Sequence, residues 1–220
     1  MADRVIRFYF DYISPNAYLA WTQLSALARR NGCRVDPVPV LFAGLLEAHR
    51  QVGPAEVRPK MQWMWKNIVR KAALIKAPLN APAFHPFNPL LSLRVSSLPL
   101  PSEQKIKLID ALFGAVWSRA LHVAEPAVVE QIAGEAGLDG AALIAQASQR
   151  ECKAQLRNQT DQAIADGVFG VPTMAVGTEL FWGYDDLPFL QRFLDGDDPA
   201  AESWAKAASL ESSAMRNRTS

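Results

Sequence analysis

Two short segments about 155 residues apart constrain this chain more than anything else in it: Ser14-Pro15-Asn16-Ala17 and Gly170-Val171-Pro172-Thr173. The first joins a strand-like run, Val5 to Phe10, to a helix-like run, Tyr18 to Ala28. In the latter, Tyr18, Leu19, Trp21, Leu24, Leu27 and Ala28 recur at helical spacing. Pro15 suits the first turn of that helix, where its missing N–H would be unpaired anyway, and Asn31-Gly32 stops it. Arg34 to Leu41 alternates, carries two prolines and reads as a second strand. A β-α-β opening favours a parallel pair. The second segment leads into Thr173–Val176 and Glu179–Trp182, which flank Gly177-Thr178 as the arms of a hairpin. Asp185 to Leu194 then reads as a closing helix, with Asp185 as its N-cap.

The stretch between the two segments is helical in pattern almost throughout. The spacing predicts helices over Leu45–Gln51, Pro59–Ile75, Leu90–Ser97, Ser102–His122, Pro126–Ala136, Leu138–Ala147 and Glu151–Ala165, with Gly137 and Gly167 as stops. The second of these is rich in Met61, Trp63, Met64 and Trp65. The fourth is entered through Pro101 with Ser102 as N-cap. A Pro-rich loop spans Ala77 to Pro89. The order β-α-β, many helices, β-β-α defines an α/β chain, a thioredoxin-like fold interrupted by a large all-helical insertion. Residues 1–41 and 167–195 would form the thioredoxin-like domain, 42–166 the helical insertion, and 196–220 a polar, Ala/Ser-rich, loosely attached tail. In that fold Ser14 stands where the first cysteine of a C-x-x-C redox motif would be, and Ala17 where the second would be. Val171-Pro172-Thr173 has the form of the loop that presents a proline, usually cis, opposite the active residue.

The remaining properties narrow the chemistry. The formal net charge is +1, with no basic cluster interleaved with aromatics, so nucleic acid is not an expected partner. No apolar run approaches the ~20 residues that a membrane span needs. Met1 to Arg4 leads straight into a strand with no apolar signal core, so a cytoplasmic protein is expected. Cys33 and Cys152 have no short-range spacing and read as structural thiols, which disfavours a thiol–disulfide oxidoreductase. His49, His85 and His122 show no metal-ligand spacing, and no metal is expected.

Ser14 precedes a helix N-terminus, where backbone N–H groups and the dipole favour negative charge. Taken alone it is an ordinary N-cap; paired with Val171-Pro172 it becomes a group that can donate a hydrogen bond to a bound thiolate. The residue before a proline is held extended, so Val171 can pair with a passing peptide as a strand edge does. Phe181-Trp182-Gly183-Tyr184-Asp185-Asp186 lies at another strand-to-helix junction, where Asp185 either caps the helix or binds the charged amino end of a peptide. Lys60 and Arg58 open the Trp-rich helix and are merely solvated unless a carboxylate ligand reaches them. His85, in the loop Phe84-His85-Pro86-Phe87-Asn88, could line a pocket, whereas Trp63, Trp65, Phe84 and Phe87 are more often core than substrate box.

Tyr9-Phe10-Asp11-Tyr12-Ile13-Ser14-Pro15 with Tyr18-Leu19-Ala20, and Gly167-Val168-Phe169-Gly170-Val171-Pro172-Thr173 with Phe181-Trp182-Gly183-Tyr184-Asp185, resemble the 2-hydroxychromene-2-carboxylate isomerase family. That family is related to kappa-class glutathione transferases within the DsbA-like thioredoxin superfamily, and the resemblance covers about residues 5–194. It implies glutathione as a recycled cofactor, with Ser14 activating its thiol and a small aromatic carboxylate as substrate. The thiolate would add to the conjugated system of a chromene carboxylate, and ring opening, bond rotation and loss of glutathione would give the trans product. The implied cofactor-binding residues are Asn16, Lys60, Val171, Trp182, Gly183, Tyr184 and Asp185; the implied substrate-binding residues are Gln51, His85 and Asn88. Related proteins are often dimers, so a homodimer is expected. The chain departs from the family at Asn16, often an aromatic, and at Asp186, usually an arginine; Gln51 is the nearest match to an asparagine of the kappa type. A kappa-like transferase or peroxidase differs only in the acceptor. A non-catalytic module that binds peptides at Val171-Pro172 is the alternative from another class.

Overall fold

A computed structural model of the protein describes residues 4–200. The elements run β1 (Arg4–Phe10), α1 (Pro15–Arg30), β2 (Cys33–Pro39), α2 (Phe42–Ala48), α3 (Arg58–Ile75), α4 (Leu90–Ser97), α5 (Ser102–Trp117), α6 (Pro126–Glu135), α7 (Gly140–Ala147), α8 (Arg150–Ala165), β3 (Thr173–Val176), β4 (Glu179–Trp182) and α9 (Leu187–Asp195). The four strands form one mixed sheet in the order β2-β1-β3-β4. β1 pairs parallel to β2 and antiparallel to β3, and β3 and β4 make the expected hairpin. This is the α/β architecture that the order of patterns predicts, with the helices α3 to α7 following the β-α-β opening and preceding the hairpin.

Strand alternation splits the core into two layers. Ile6, Phe8 and Phe10 of β1, Met174 of β3 and Phe181 of β4 face one side, where α1, α5 and α9 cover them. Tyr9 and Ala175 face the other, against Val40, Leu45 of α2, Ala163 of α8 and Val168. α2 and α8, which the sequence boundaries group with the helical insertion, thus pack on the sheet. Phe113 of α5 locks the first layer, its ring 5.4 Å from Phe10 and 4.7 Å from Tyr12.

Several boundaries differ from the sequence expectation. α2 starts at Phe42 and not near Leu45, because the N–H of Phe42 finds its acceptor in Asp11, 31 residues earlier in the chain; a tertiary partner replaces a local cap. α5 has Pro101 in the cap position, and Ser102 makes no capping bond. The same helix ends at Trp117, where the chain turns through Ala120 at φ 53°. The closing helix starts at Leu187. A single 3₁₀ turn, Tyr184–Asp186, precedes it, and Asp185 caps nothing. The expected 196–220 tail lies, from residue 201 onward, outside the described residues.

Candidate active site

The loop from Asp11 to Ser14 is held by bonds on every side. Ser14 caps α1: its Oγ accepts from the Ala17 N–H at 3.2 Å, and its own N–H donates to the Asp11 carbonyl at 3.1 Å. The Asp11 side chain accepts from the Ile13 N–H at 3.1 Å and the Phe42 N–H at 3.0 Å. The Trp117 indole N–H donates to the Tyr12 carbonyl at 2.9 Å, and His85 Nε2 lies 2.9 Å from the Ile13 carbonyl. The Tyr12 hydroxyl donates to Ser96 Oγ at 2.7 Å, since Ser96 spends its own proton on the Ser92 carbonyl.

Opposite Ser14 lies the Val171–Pro172 bond, which is cis. The Ser14 hydroxyl donates to the Val171 carbonyl at 3.3 Å, beyond the usual range for an O–H···O bond. Ser14 therefore uses a lone pair for capping and keeps its proton in a weak contact, so the two functions read from sequence are compatible in one side chain. The Gly183 N–H donates to the Pro172 carbonyl at 2.8 Å and ties the end of the hairpin to this loop. Gly170 is needed there: a Cβ would lie 2.5 Å from Trp182 Nε1.

A charged group completes this side. Lys71 of α3 lies 2.6 Å from Asp185 Oδ2 and 3.1 Å from Asn16 Oδ1, with its ammonium 5.3 Å from the Tyr184 ring centroid. Lys71 is 10% exposed and Asp185 71%. Asn16 and Asp185, both expected at the site, are thus brought together by a lysine the sequence reading did not single out. The signal was present: Met64, Ile68, Lys71 and Ala72 form the buried stripe of α3, and a lysine on an apolar stripe needs a partner. Lys60 is exposed in the first turn of the same helix and bonds to none of the site residues among those described. Tyr184 is pushed above the usual tyrosine range by burial and by Asp185.

On the substrate side, His85 alone is tied to the Ser14 loop. A carbonyl can only accept, so the His85 proton sits on Nε2 and Nδ1 is left as an acceptor, buried and without a partner. Burial pulls the imidazole below its ordinary range, against the bond to Ile13. Trp65, Phe87 and Trp117 surround the ring. The Asn88 side chain is exposed and accepts from the Leu90 N–H at the start of α4. Gln51 is exposed, and its N–H closes the end of α2 on Leu46. Cys33 opens β2 and Cys152 lies in α8, with its thiol donating to the Arg94 carbonyl. Three cavities of about 600, 300 and 480 Å³ lie elsewhere, and Ser14 lines none of them.

The Asp11 carboxyl group is a buried polar side chain beside Ser14 to which sequence reasoning gave no role. It is fully buried, and burial raises its carboxyl from 3.8 to about 7, with the two N–H bonds opposing that rise.

A thioredoxin-type sheet with a serine at the redox position and a cis proline opposite defines a class of protein, and comparison with known proteins narrows it. The model of the DSBA-like thioredoxin domain matches residues 5–195. A 2-hydroxychromene-2-carboxylate isomerase of Sphingobium xenophagum is 32% identical over 193 residues, 87% of this chain and 98% of the relative. A glutathione S-transferase kappa 1 of Rattus norvegicus is 26% identical, over 88% and 92% of the two chains. A solved structure of a 2-hydroxychromene-2-carboxylate isomerase superposes with a TM-score of 0.78 at 28% identity, covering 94% of this chain and all of that one. The chain belongs to the DSBA-like thioredoxin domain family, in the branch that holds proteins of that name. No helix of the described residues is long and apolar enough to cross a membrane.

Proposed function

We propose that the protein is a glutathione-dependent isomerase of 2-hydroxychromene-2-carboxylate-type aromatic degradation intermediates, with Ser14 keeping the glutathione thiol reactive. The observation that carries the reading is the state of Ser14. Its lone pair is committed to the Ala17 N–H, and its proton rests in a 3.3 Å contact that a better acceptor can take over. A thiolate is such an acceptor, and the N-terminus of the 16-residue helix α1 favours its charge.

When bound, glutathione supplies a sulfur nucleophile that adds to the substrate's conjugated system and later leaves, so that a double bond becomes rotatable and the cofactor is recovered. The residues present fit that cofactor. Val171, extended before the cis proline, offers main-chain pairing to its peptide. The opposite charges of Asp185 and Lys71, with Asn16 on the other side of the lysine, suit its zwitterionic amino-acid end. Trp182, Gly183 and Tyr184 flank that end. Lys60 stays a second candidate for the far carboxylate. Gln51, His85 and Asn88 are the substrate-side residues; support for His85 comes from its bond to Ile13 and its unused acceptor. In this reading the segments 1–41 and 167–195 carry Ser14 and Val171, and the helical segment 42–166 supplies Lys71 and His85. The enzyme works in the cytoplasm as a homodimer.

Calorimetric titration with glutathione, followed by a spectrophotometric assay with a chromene carboxylate, tests the proposal in the wild type and in Ser14→Ala. Binding retained in both, with turnover lost only in the variant, is the expected result. Glutathione binding without isomerisation, but with conjugation of an electrophile, would assign the kappa-like transferase reading that the rat relative favours. No binding at all would sink both.

A further inference from the structure

We propose that Asp11 is a positioning residue for Ser14: its buried carboxylate clasps the N–H groups of Ile13 and Phe42 and so fixes the turn that aims the Ser14 hydroxyl. The inference rests on the reading of Ser14 given above.

The geometry asks for a side chain with two acceptor oxygens, which a carboxyl group has and an amide does not. One oxygen accepts from Ile13 inside the turn; the other accepts from Phe42, the first residue of α2. Both donors are backbone N–H groups, so the site needs two acceptors. An asparagine has one, and its amide would face the second N–H donor to donor. Burying an anion is unfavourable, and the influences on Asp11 are burial and those two N–H groups; none is a cation. Tyr12, the titratable neighbour it acts on, faces away into the bond with Ser96. The backbone carbonyl of Asp11 itself takes the Ser14 N–H. Asp11 therefore holds the four-residue turn Asp11 to Ser14 through its carbonyl and its side chain and ties it to α2, itself anchored where the Leu41 N–H donates to Thr160 Oγ1 at 3.0 Å. Ser14 has only a weak contact to hold its proton's direction, so its aim follows the turn.

The test uses four variants of the full chain: Asp11→Asn, Phe42→Pro, Phe42→Ala and Ser14→Ala, with the Asp11→Asn/Ser14→Ala double. Phe42→Pro deletes one clasped N–H at a position where proline suits a helix, and it keeps Asp11 in place should Asp11→Asn fail to fold. Phe42→Ala controls for the lost ring. The readouts are kcat, glutathione affinity and the pH titration of the bound thiolate's absorbance. Misplacing a reacting group by about an ångström costs up to ~100-fold. Asp11→Asn is expected to lower kcat ~10- to 100-fold and to move the bound-thiol titration upward, with glutathione affinity within about threefold of wild type. Phe42→Pro should follow in the same direction, Phe42→Ala should not, and the double variant should be no worse than Ser14→Ala. Effects of Asp11→Asn that multiply those of Ser14→Ala would overturn the proposal, as would Phe42→Pro matching Phe42→Ala. An unmoved thiol titration in Ser14→Ala would instead remove the serine reading itself, and Asp11's role with it.

Discussion

The Lys71–Asp185 pair has one buried and one exposed member, and its two halves should respond very differently to mutation. At an effective dielectric near ~20, unit charges 2.6 Å apart attract by about 6 kcal/mol, an upper limit. Asp185 is 71% exposed, so water screens most of that, and intact surface pairs contribute only ~0–1 kcal/mol. Removing the acid is a separate matter, because it leaves an ammonium that is 10% exposed with neutral partners only, Asn16 and the Tyr184 ring. Breaking fully buried pairs costs about 3–5 kcal/mol; with one partner in water, about 2 kcal/mol is expected for Asp185→Asn. Lys71→Met keeps the length of the side chain on the apolar stripe of Met64, Ile68 and Ala72 and returns Asp185 to solvent, so it should change stability by less than about 1 kcal/mol. In a chain of this size 1 kcal/mol moves Tm by ~2–4 °C. Thermal melts followed by circular dichroism should then show Asp185→Asn lower by about 4–8 °C and Lys71→Met nearly unchanged. A capping role for Asp185 would make asparagine almost neutral. A Lys71→Met variant less stable than Asp185→Asn would refute the reasoning.

Asp11 should tilt the pH dependence of stability. Its folded carboxyl, near 7 against 3.8, keeps a proton that the unfolded chain has lost, so its contribution is fully present below about pH 4 and fades as pH rises to about 7. The slope amounts to at most about 4 kcal/mol, and denaturant titrations across that window should show it flattened in Asp11→Asn. Gly170→Ala should displace the Trp182 ring and shift tryptophan fluorescence, weakening glutathione binding; an unchanged spectrum would mean that the loop moves instead. Ser14→Ala should cost about 1 kcal/mol of stability through its lost cap, while the thiolate titration of bound glutathione moves upward.

The strands and most helices were legible because each carries its own local signal: Pro15 at the first turn of α1, Gly177-Thr178 between two short apolar runs, the Gly and Asn stops. The fold class followed from their order. What was not legible depended on distant partners. α2 begins where Asp11 supplies an acceptor, and a local reading of Leu45 to Gln51 had no access to that residue. The expected cap at Asp185 failed because the Trp182 N–H takes Asp186 Oδ2 at 2.9 Å, which winds the junction into a 3₁₀ turn, and the helix opens on Leu187-Pro188. Asp185 then meets a lysine 114 residues away. The serine and the proline loop could be placed by motif; the apolar stripe of α3 marks Lys71 as a lysine in need of a partner without saying which, and Asp11 acquires its meaning from contacts the chain makes only after folding.

The two prolines of β2 have a consequence beyond their own strand. β2 is a rim of the sheet, and Pro37 and Pro39 lie opposite Phe8 and Phe10 in the ladder. Neither can donate, so both turn their nitrogens outward, away from β1. That rim is therefore short of donors at two successive outward positions, and an extended segment from another molecule finds carbonyls there with too few N–H groups between them. The fold thus guards one flank against unwanted strand addition, the opposite of what is proposed for Val171, where a small peptide would be received.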